Sequence, residues 1–241
     1  MNDAELARDI AIEAGALLKA IREGCDTCGK DLGDRGDRDA NLLILKRLHD
    51  ARPDDFILSE ESHDDGLRCA ARRVWIVDPL DGTRDYADRG PDWAVHVGLA
   101  VDGVPAEGAV AVPELGETFC TQGPHVLAPR KPGPLRMVVS RTRATDLVKR
   151  VAVALDAELV PMGSAGAKAM AVVRGDVDIY LHSGGQYEWD NCAPVAVALA
   201  YGLHASRIDG SALVYNCQDT FLPDLLICRP ELAQRVLAAV A

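Results

Sequence analysis

The sequence predicts a layered α/β fold, and three observations carry that prediction. Apolar residues recur at helical spacing near the N-terminus, residues 93–121 alternate as hairpin strands do, and the stretch beyond residue 130 alternates strand with helix. Leu6, Ile10, Ala14, Leu17 and Ile21 line one helical face, with Asn2 or Asp3 as N-cap and Gly24 as the stop. Asp31 to Asp39, dense in Gly and Asp, reads as a loop, and a helix follows through Leu42, Leu45 and Leu48. Phe56-Ile57-Leu58 reads as a short strand running into Ser59-Glu60-Glu61. Val74 to Val77 is a buried strand that ends at Asp78-Pro79, where Pro blocks ladder pairing. Trp93 to Val101 is a strand, with Val104 to Val112 and Thr118 to Thr121 as its hairpin partners. Gly123 to Pro134 holds four prolines and two glycines, which places a boundary near residue 130 and divides the chain into halves 1–130 and 131–241. The second half reads as strand 135–140, helix 144–156, helix 164–174, strand 177–181, helix 190–202, strand 224–228 and helix 230–240.

Composition narrows the function. The chain has 241 residues, with 48% hydrophobic, 26% charged and only 5% aromatic, so its core is mainly Ala, Val, Leu and Ile. The 26 basic and 37 acidic residues give a net charge of −11 with no long basic run, which argues against nucleic acid as a partner because phosphate neutralisation needs clustered Lys and Arg. No apolar stretch reaches bilayer length, Ala193 to Leu203 being the nearest approach, so no membrane partner is expected. Met1 to Arg8 lacks a basic-then-apolar signal pattern, and the seven scattered cysteines are an odd number. The expectation is a cytoplasmic enzyme, monomeric or homodimeric, with thiols kept reduced. Cys25 and Cys28 form a lone C-x-x-C, read as ordinary thiols rather than as a redox pair or half a zinc site.

The chemistry concentrates in carboxylates. Asp78-Pro79-Leu80-Asp81-Gly82-Thr83 follows a strand directly, so two carboxylates three residues apart converge on a sharp turn. Hard divalent cations want that arrangement, several oxygen ligands of which some are anionic. If Thr83 opens a helix, the amides of Gly82 and Thr83 face an anion. Ser59-Glu60-Glu61 ends a neighbouring strand, and Glu188-Trp189-Asp190 opens an Ala-rich helix. Each segment alone is also an ordinary turn, solvated loop or helix cap; all three together favour a shared metal site. His96 lies mid-strand in an apolar run and reads as a satisfied core histidine. Trp75 and Trp93 read as core, while Tyr187 and Trp189 flank Glu188 as candidate nucleobase contacts.

In order and spacing these segments resemble the inositol monophosphatase superfamily. Trp75 to Thr83 looks like its first signature, Glu188-Trp189-Asp190 followed by Ala193 its second, and Ser59-Glu60-Glu61 the Glu-Glu element before the first. Gly36-Asp37-Arg38-Asp39-Ala40-Asn41 resembles its Asp-x-x-Ala-Asn segment. Ser140-Arg141-Thr142-Arg143 and Gly163-Ser164 with Lys168 are similar to elements of the CysQ-type 3′-phosphoadenosine-5′-phosphate phosphatases within it.

The resemblance implies an α/β/α/β/α sugar-phosphatase fold and Mg²⁺-dependent hydrolysis of a phosphomonoester, with two or three Mg²⁺ per active site. Glu60, Asp78 and the Leu80 carbonyl would bind one ion; Asp78, Asp81 and Asp190 would bind a second. Asp37 and Thr83, with Glu60, would be catalytic, and the amides of Gly82 and Thr83 would hold the phosphate. Leu80, Asp81, Arg141, Arg143, Ser164, Lys168, His182, Glu188 and Asp190 complete the implied substrate contacts. Most metal ligands thus fall in 1–130, with substrate contacts and the last ligand in 131–241. Three departures stand out: Asp34 where the family usually has Thr, a Gly-Ser to Lys spacing one residue longer, and His182 where nucleotide-specific relatives often carry Arg. The implied reaction is removal of the 3′-phosphate of 3′-phosphoadenosine-5′-phosphate, in sulfur assimilation. Inositol monophosphate, fructose 1,6-bisphosphate or histidinol phosphate are alternative substrates, and a non-catalytic metal or phosphate sensor is the alternative to an enzyme.

Overall fold

A computed structural model describes residues 1–24, 29–142 and 144–241. Cys25, Cys28 and Arg143 lie outside the described residues. Helix α1 (Asp3–Glu23) opens with a capping box, in which the Asn2 side chain accepts from the Glu5 amide and the Glu5 carboxylate accepts from the Asn2 amide. Helix α2 spans Lys30–Ala51, so the expected loop over 31–39 is helical. Its glycines are contact points rather than breakers. A Cβ on Gly33 would lie 2.8 Å from Thr83 Cγ2, and one on Gly36 would lie 3.0 Å from both Leu80 Cδ2 and Tyr86 Cε1. Ion pairs one turn apart, Lys30 with Asp34 and Arg35 with Asp39, accompany the exposed face.

Strands β1 (Phe56–Ser59) and β2 (Arg73–Asp81) run parallel. The second does not stop at Pro79; it continues to Asp81 through a register shift between Asp78 and Asp81, where the missing Pro N–H is tolerated. A short helix α3 (Thr83–Ala87) follows Gly82, whose φ of +90° a Cβ-bearing residue would resist. Strands β3 (Ala94–Val101), β4 (Val104–Val112) and β5 (Glu117–Cys120) complete an antiparallel run, giving a five-stranded sheet in the order β1-β2-β3-β4-β5.

Beyond 130 come β6 (Leu135–Ser140), α4 (Asp146–Leu155), β7 (Ala157–Met162), α5 (Ala165–Val173), β8 (Ile179–His182), β9 (Gln186–Tyr187), α6 (Glu188–Ala200), β10 (His204–Ser206), β11 (Phe221–Leu222), β12 (Leu225–Cys228) and α7 (Ala233–Val240). The sequence reading missed β7, β9, β10 and β11. In β7 Pro161 and the acidic Glu158 disguise an edge strand. The second sheet has the order β10-β12-β8-β6-β7.

Three cores define the layers. Helices α1 and α2 bury Leu6, Ile10, Leu18, Leu32 and Ile44 against one face of the first sheet, with Trp75, Val77 and Val95. Helices α5 and α6 lie between the sheets, where Met170, Val172, Ala193 and Val197 meet Val74 and Ile76 on one side and Val138, Tyr180 and Ile227 on the other. Helices α4 and α7 cover the far face of the second sheet. The result is α/β/α/β/α, the arrangement expected above. Gly98 and Gly108 let α6 settle onto the first sheet, since a Cβ on either would lie 2.9 Å from Ala193 N or 3.2 Å from Ala193 Cα. That close approach is what carries the start of α6 to the end of β2. Among the described residues no helix is long and apolar enough to cross a membrane.

Candidate active site

Parallel β1 ends with Ser59 opposite Val77 of β2, so Glu60 follows β1 next to Asp78, and the Glu60 amide donates to the Val77 carbonyl at 3.3 Å. The first turn of α6 brings Asp190 to the same place. Asp78, Asp81 and Asp190 each offer a carboxylate oxygen, and these atoms lie within 4.8 Å of one another. With Glu60, Leu80, Gly82 and Thr83 they line one wall of a cavity of about 800 Å³. The opposite wall carries Ser140, Arg141, Gly163, Ser164, Lys168, Tyr180, His182 and Gln186 from the second half.

The electrostatics are those of crowded carboxylates. Burial pushes the Asp78 carboxyl well above its ordinary value, and Glu60, Asp81 and Asp190 add to the rise. Glu60 opens to solvent through the cavity, yet desolvation by the walls, with Asp190 and Asp81, lifts it to about 7. Asp81 goes the other way. Burial would raise it, but the nearby His96, Lys168 and the Ser164 hydroxyl hold it below the carboxylate range. Its Oδ2 accepts from the Ser164 hydroxyl and from the Gly166 amide at 2.7 Å. Three buried or half-buried carboxylates in mutual reach, with hard oxygen donors and no thiol among them, fit a divalent cation such as Mg²⁺.

Asp37 reaches the site from α2. Its Oδ1 lies 3.4 Å from Thr83 Oγ1, and that hydroxyl is also 3.0 Å from the Leu80 carbonyl. Burial above all, then the charge of Glu61, raises the Asp37 carboxyl to about 7, against the lowering effect of the Thr83 bond. Asp34, at the departure from the family pattern, pairs with Lys30 on the outside of the helix.

The expected substrate residues divide. Ser164 caps α5 by accepting from the Ala167 amide at 2.9 Å, with a positive φ of 50° unusual for Ser. Lys168 is buried and folds back one turn, donating to the Gly163 carbonyl at 3.2 Å and to the Ser164 carbonyl, with the Tyr180 ring 5.4 Å away. Arg141 lines the cavity but is held by carboxylates of the first half, donating to Asp85 at 2.6 Å and to Asp92. His182 lies 3.0 Å from the Gly185 carbonyl through Nε2. Glu188 is a correction: it does not line the cavity. Its two oxygens accept from the Asn216 and Cys217 amides, at 2.7 and 2.8 Å, and pin that loop to α6. Tyr187 and Trp189 stack on each other, centroids 4.9 Å apart, and neither lines the cavity.

The sequence reading passed over Arg84, Asp85, Tyr180 and Gln186, which all line the cavity. Arg84 and Asp85 were legible as the residues just after the first signature. It also set His96 aside. That ring is indeed fully buried, with Nδ1 3.0 Å from the Trp189 carbonyl, but its Nε2 sits 3.3 Å from Asp81 Oδ2, off the line of a strong hydrogen bond.

Comparison with known proteins fits this geometry. The inositol monophosphatase family matches residues 4–241. The chain belongs to that family. A relative from Mycobacterium leprae (strain TN), described as 3′-phosphoadenosine 5′-phosphate phosphatase, is 49% identical and covers 100% of this chain and 94% of its own length. One of the same description from Mycobacterium bovis (strain ATCC BAA-935 / AF2122/97) is 50% identical, over 95% of this chain and 90% of its own. Among solved structures, CysQ from Bacteroides thetaiotaomicron, described as a bacterial member of the inositol monophosphatase family, superposes with a TM-score of 0.80 at 25% identity, covering 94% of this chain and 97% of that one. The family relationship extends over both sheets and both walls of the cavity, so the layered architecture is that of an inositol monophosphatase-family enzyme.

Proposed function

We propose that this family member is a Mg²⁺-dependent phosphatase that hydrolyses the 3′-phosphate of 3′-phosphoadenosine-5′-phosphate to leave the 5′-monophosphate, as in sulfur assimilation. The observation that carries the reading is the Asp78, Asp81 and Asp190 cluster on the floor of a two-walled cavity, in a chain about half identical to relatives described by that activity. Glu60, Asp78 and the Leu80 carbonyl are the groups that would hold one Mg²⁺, and Asp78, Asp81 and Asp190 a second. When bound, such ions offset charge on the phosphate and make water a stronger nucleophile near neutrality.

The residues supply the rest. Asp37 and Thr83 form the proton path: the Thr83 hydroxyl bridges the cavity to Asp37, and a carboxyl raised to about 7 accepts a proton without holding it permanently. The amides of Gly82 and Thr83 open α3 and have no partner within the helix, so they are free to donate to the scissile phosphate. A second phosphate needs a cation of its own. Arg141 is already shared by two carboxylates and Lys168 by two carbonyls, whereas Arg84 lines the cavity with no described side-chain partner. Arg84 is therefore the cation we assign to it, with Arg141, Lys168 and His182 shaping the wall. The reading extends to a cytoplasmic monomer or homodimer.

The test is phosphate release from 3′-phosphoadenosine-5′-phosphate, inositol 1-phosphate, fructose 1,6-bisphosphate and histidinol phosphate, each with Mg²⁺, with Mg²⁺ and Li⁺, and with excess chelator. The expected result is preference for the adenosine bisphosphate, inhibition by Li⁺ and no turnover in chelator. Turnover in chelator removes the metal reading, and preference for inositol 1-phosphate removes the nucleotide.

A further inference from the structure

A buried histidine stands under the carboxylate cluster with no part in the chemistry above. His96 lies in β3, in register opposite Asp78 of β2. Its ring spans two elements that carry carboxylates. Nδ1 is 3.0 Å from the carbonyl of Trp189, the residue before Asp190; since a carbonyl only accepts, Nδ1 carries the hydrogen. Nε2 is 3.3 Å from Asp81 Oδ2. Room for the ring exists because residue 166 is Gly: a Cβ there would lie 2.1 Å from Nε2. The Gly166 amide donates to the same Oδ2 at 2.7 Å, and the Ser164 hydroxyl donates to it as well. Amide and hydroxyl thus donate to one oxygen of Asp81, with the ring packed against that oxygen, which leaves Oδ1 as the oxygen for a cation.

We infer that His96 is a positioning residue that fixes the separation of Asp81 and Asp190, and so sets the affinity of the cluster for a divalent cation, with Gly166 as the residue that seats it. The inference rests on the metal reading given above. Its physical basis is lever length. Asp81 ends a strand of the first sheet and Asp190 begins a helix packed between the sheets, and the imidazole is a rigid spacer touching both neighbourhoods. Partners that orient a metal ligand are typically worth about 10–100-fold in metal affinity.

The experiment measures the Mg²⁺ concentration that gives half of the maximal rise in melting temperature, together with kcat and KM at saturating Mg²⁺, for the native protein, His96→Phe, His96→Asn and Gly166→Ala. Phe keeps the ring and loses both nitrogens; Asn keeps a donor near the Nδ1 position. The expected result is a half-saturating Mg²⁺ concentration raised about 10–100-fold in His96→Phe, an intermediate shift in His96→Asn, and a shift in the same direction in Gly166→Ala, whose methyl displaces the ring. Half-saturation within about twofold of native in His96→Phe, or equal shifts for Phe and Asn, overturns the role of His96. If His96→Phe does not fold, unshifted half-saturation in both other variants overturns it. A native protein that Mg²⁺ does not stabilise at all overturns the metal reading and this inference with it, a result distinct from unshifted variants.

Discussion

Asp37 shows how a residue's role depends on its neighbours. Its sequence segment marks it as acidic and glycine-flanked; only the fold supplies the Thr83 hydroxyl at 3.4 Å and the burial that lifts its carboxyl to about 7. Asp37→Asn keeps the shape and removes the proton acceptor, so kcat should fall by about 100- to 10,000-fold with KM little changed, as read from steady-state kinetics at saturating Mg²⁺. Wild-type kcat would remove Asp37 from the proton path. Glu60 and Asp37 also set a pH dependence. Both carboxyls bind protons more tightly folded than unfolded, so between about pH 4 and about pH 7 the native state holds protons that the unfolded chain has lost. Their stabilising contribution is complete below that window and gone above it. In chelator, raising the pH through the window should lower the melting temperature of the native protein more than that of Glu60→Gln, which keeps the Asp37 proton but has none to lose at position 60. Mg²⁺ binds only the ionised groups, so its stabilising effect should be larger at about pH 8 than at about pH 5.5. Identical pH slopes for native and Glu60→Gln in chelator would contradict the assignment.

At the scale of elements, the carboxylate signatures were legible because each sits at a strand end or helix start that hydrophobic patterning reveals. Helix α2 was not. Gly33 and Gly36 look like breakers in one dimension, and only packing shows that they are the places where α2 touches Thr83, Leu80 and Tyr86. Short β9, β10 and β11 carry two or three residues each and leave no periodicity to read. Gly33→Ala decides between local and tertiary demands. Helix propensity alone favours Ala by about 1 kcal/mol. The new methyl would sit 2.8 Å from Thr83 Cγ2 on a stiff β-branched side chain, and overpacking of that kind costs about 1–3 kcal/mol. The clash wins, so the melting temperature should fall, and kcat should fall with it because Thr83 moves. Gly15→Ala is the control: its methyl would press on Pro113 Cγ at 2.9 Å, away from the cavity, and should lower stability while leaving kcat intact. A stable, fully active Gly33→Ala protein would show that α2 yields without disturbing the site.

Across the whole molecule, the cavity draws its lining from both sides of residue 130. Sequence reading could find each wall but not how their charges are already spent. Arg141 and Arg143 were both candidates for a second phosphate, yet Arg141 is tied to Asp85 and Asp92, making it a strap from β6 to the first half. Arg84, unremarked in the sequence, is the cavity-lining cation without a described partner. The two arginines therefore differ in what their loss does. Arg84→Ala should weaken 3′-phosphoadenosine-5′-phosphate by about 1.5–3 kcal/mol in kcat/KM, the range for hydrogen bonds to charged groups, and barely change a nucleoside 3′-monophosphate that lacks the 5′-phosphate. Arg141→Ala should depress both substrates alike, because the strap orients the wall rather than the second phosphate. Being half exposed, the strap should cost only about 1 kcal/mol of stability or less. Measuring kcat/KM for both substrates in both variants separates the cases. Selective loss in Arg141→Ala with parallel loss in Arg84→Ala would reverse the assignment, and it would mean that Arg141 leaves its two carboxylates when the bisphosphate arrives.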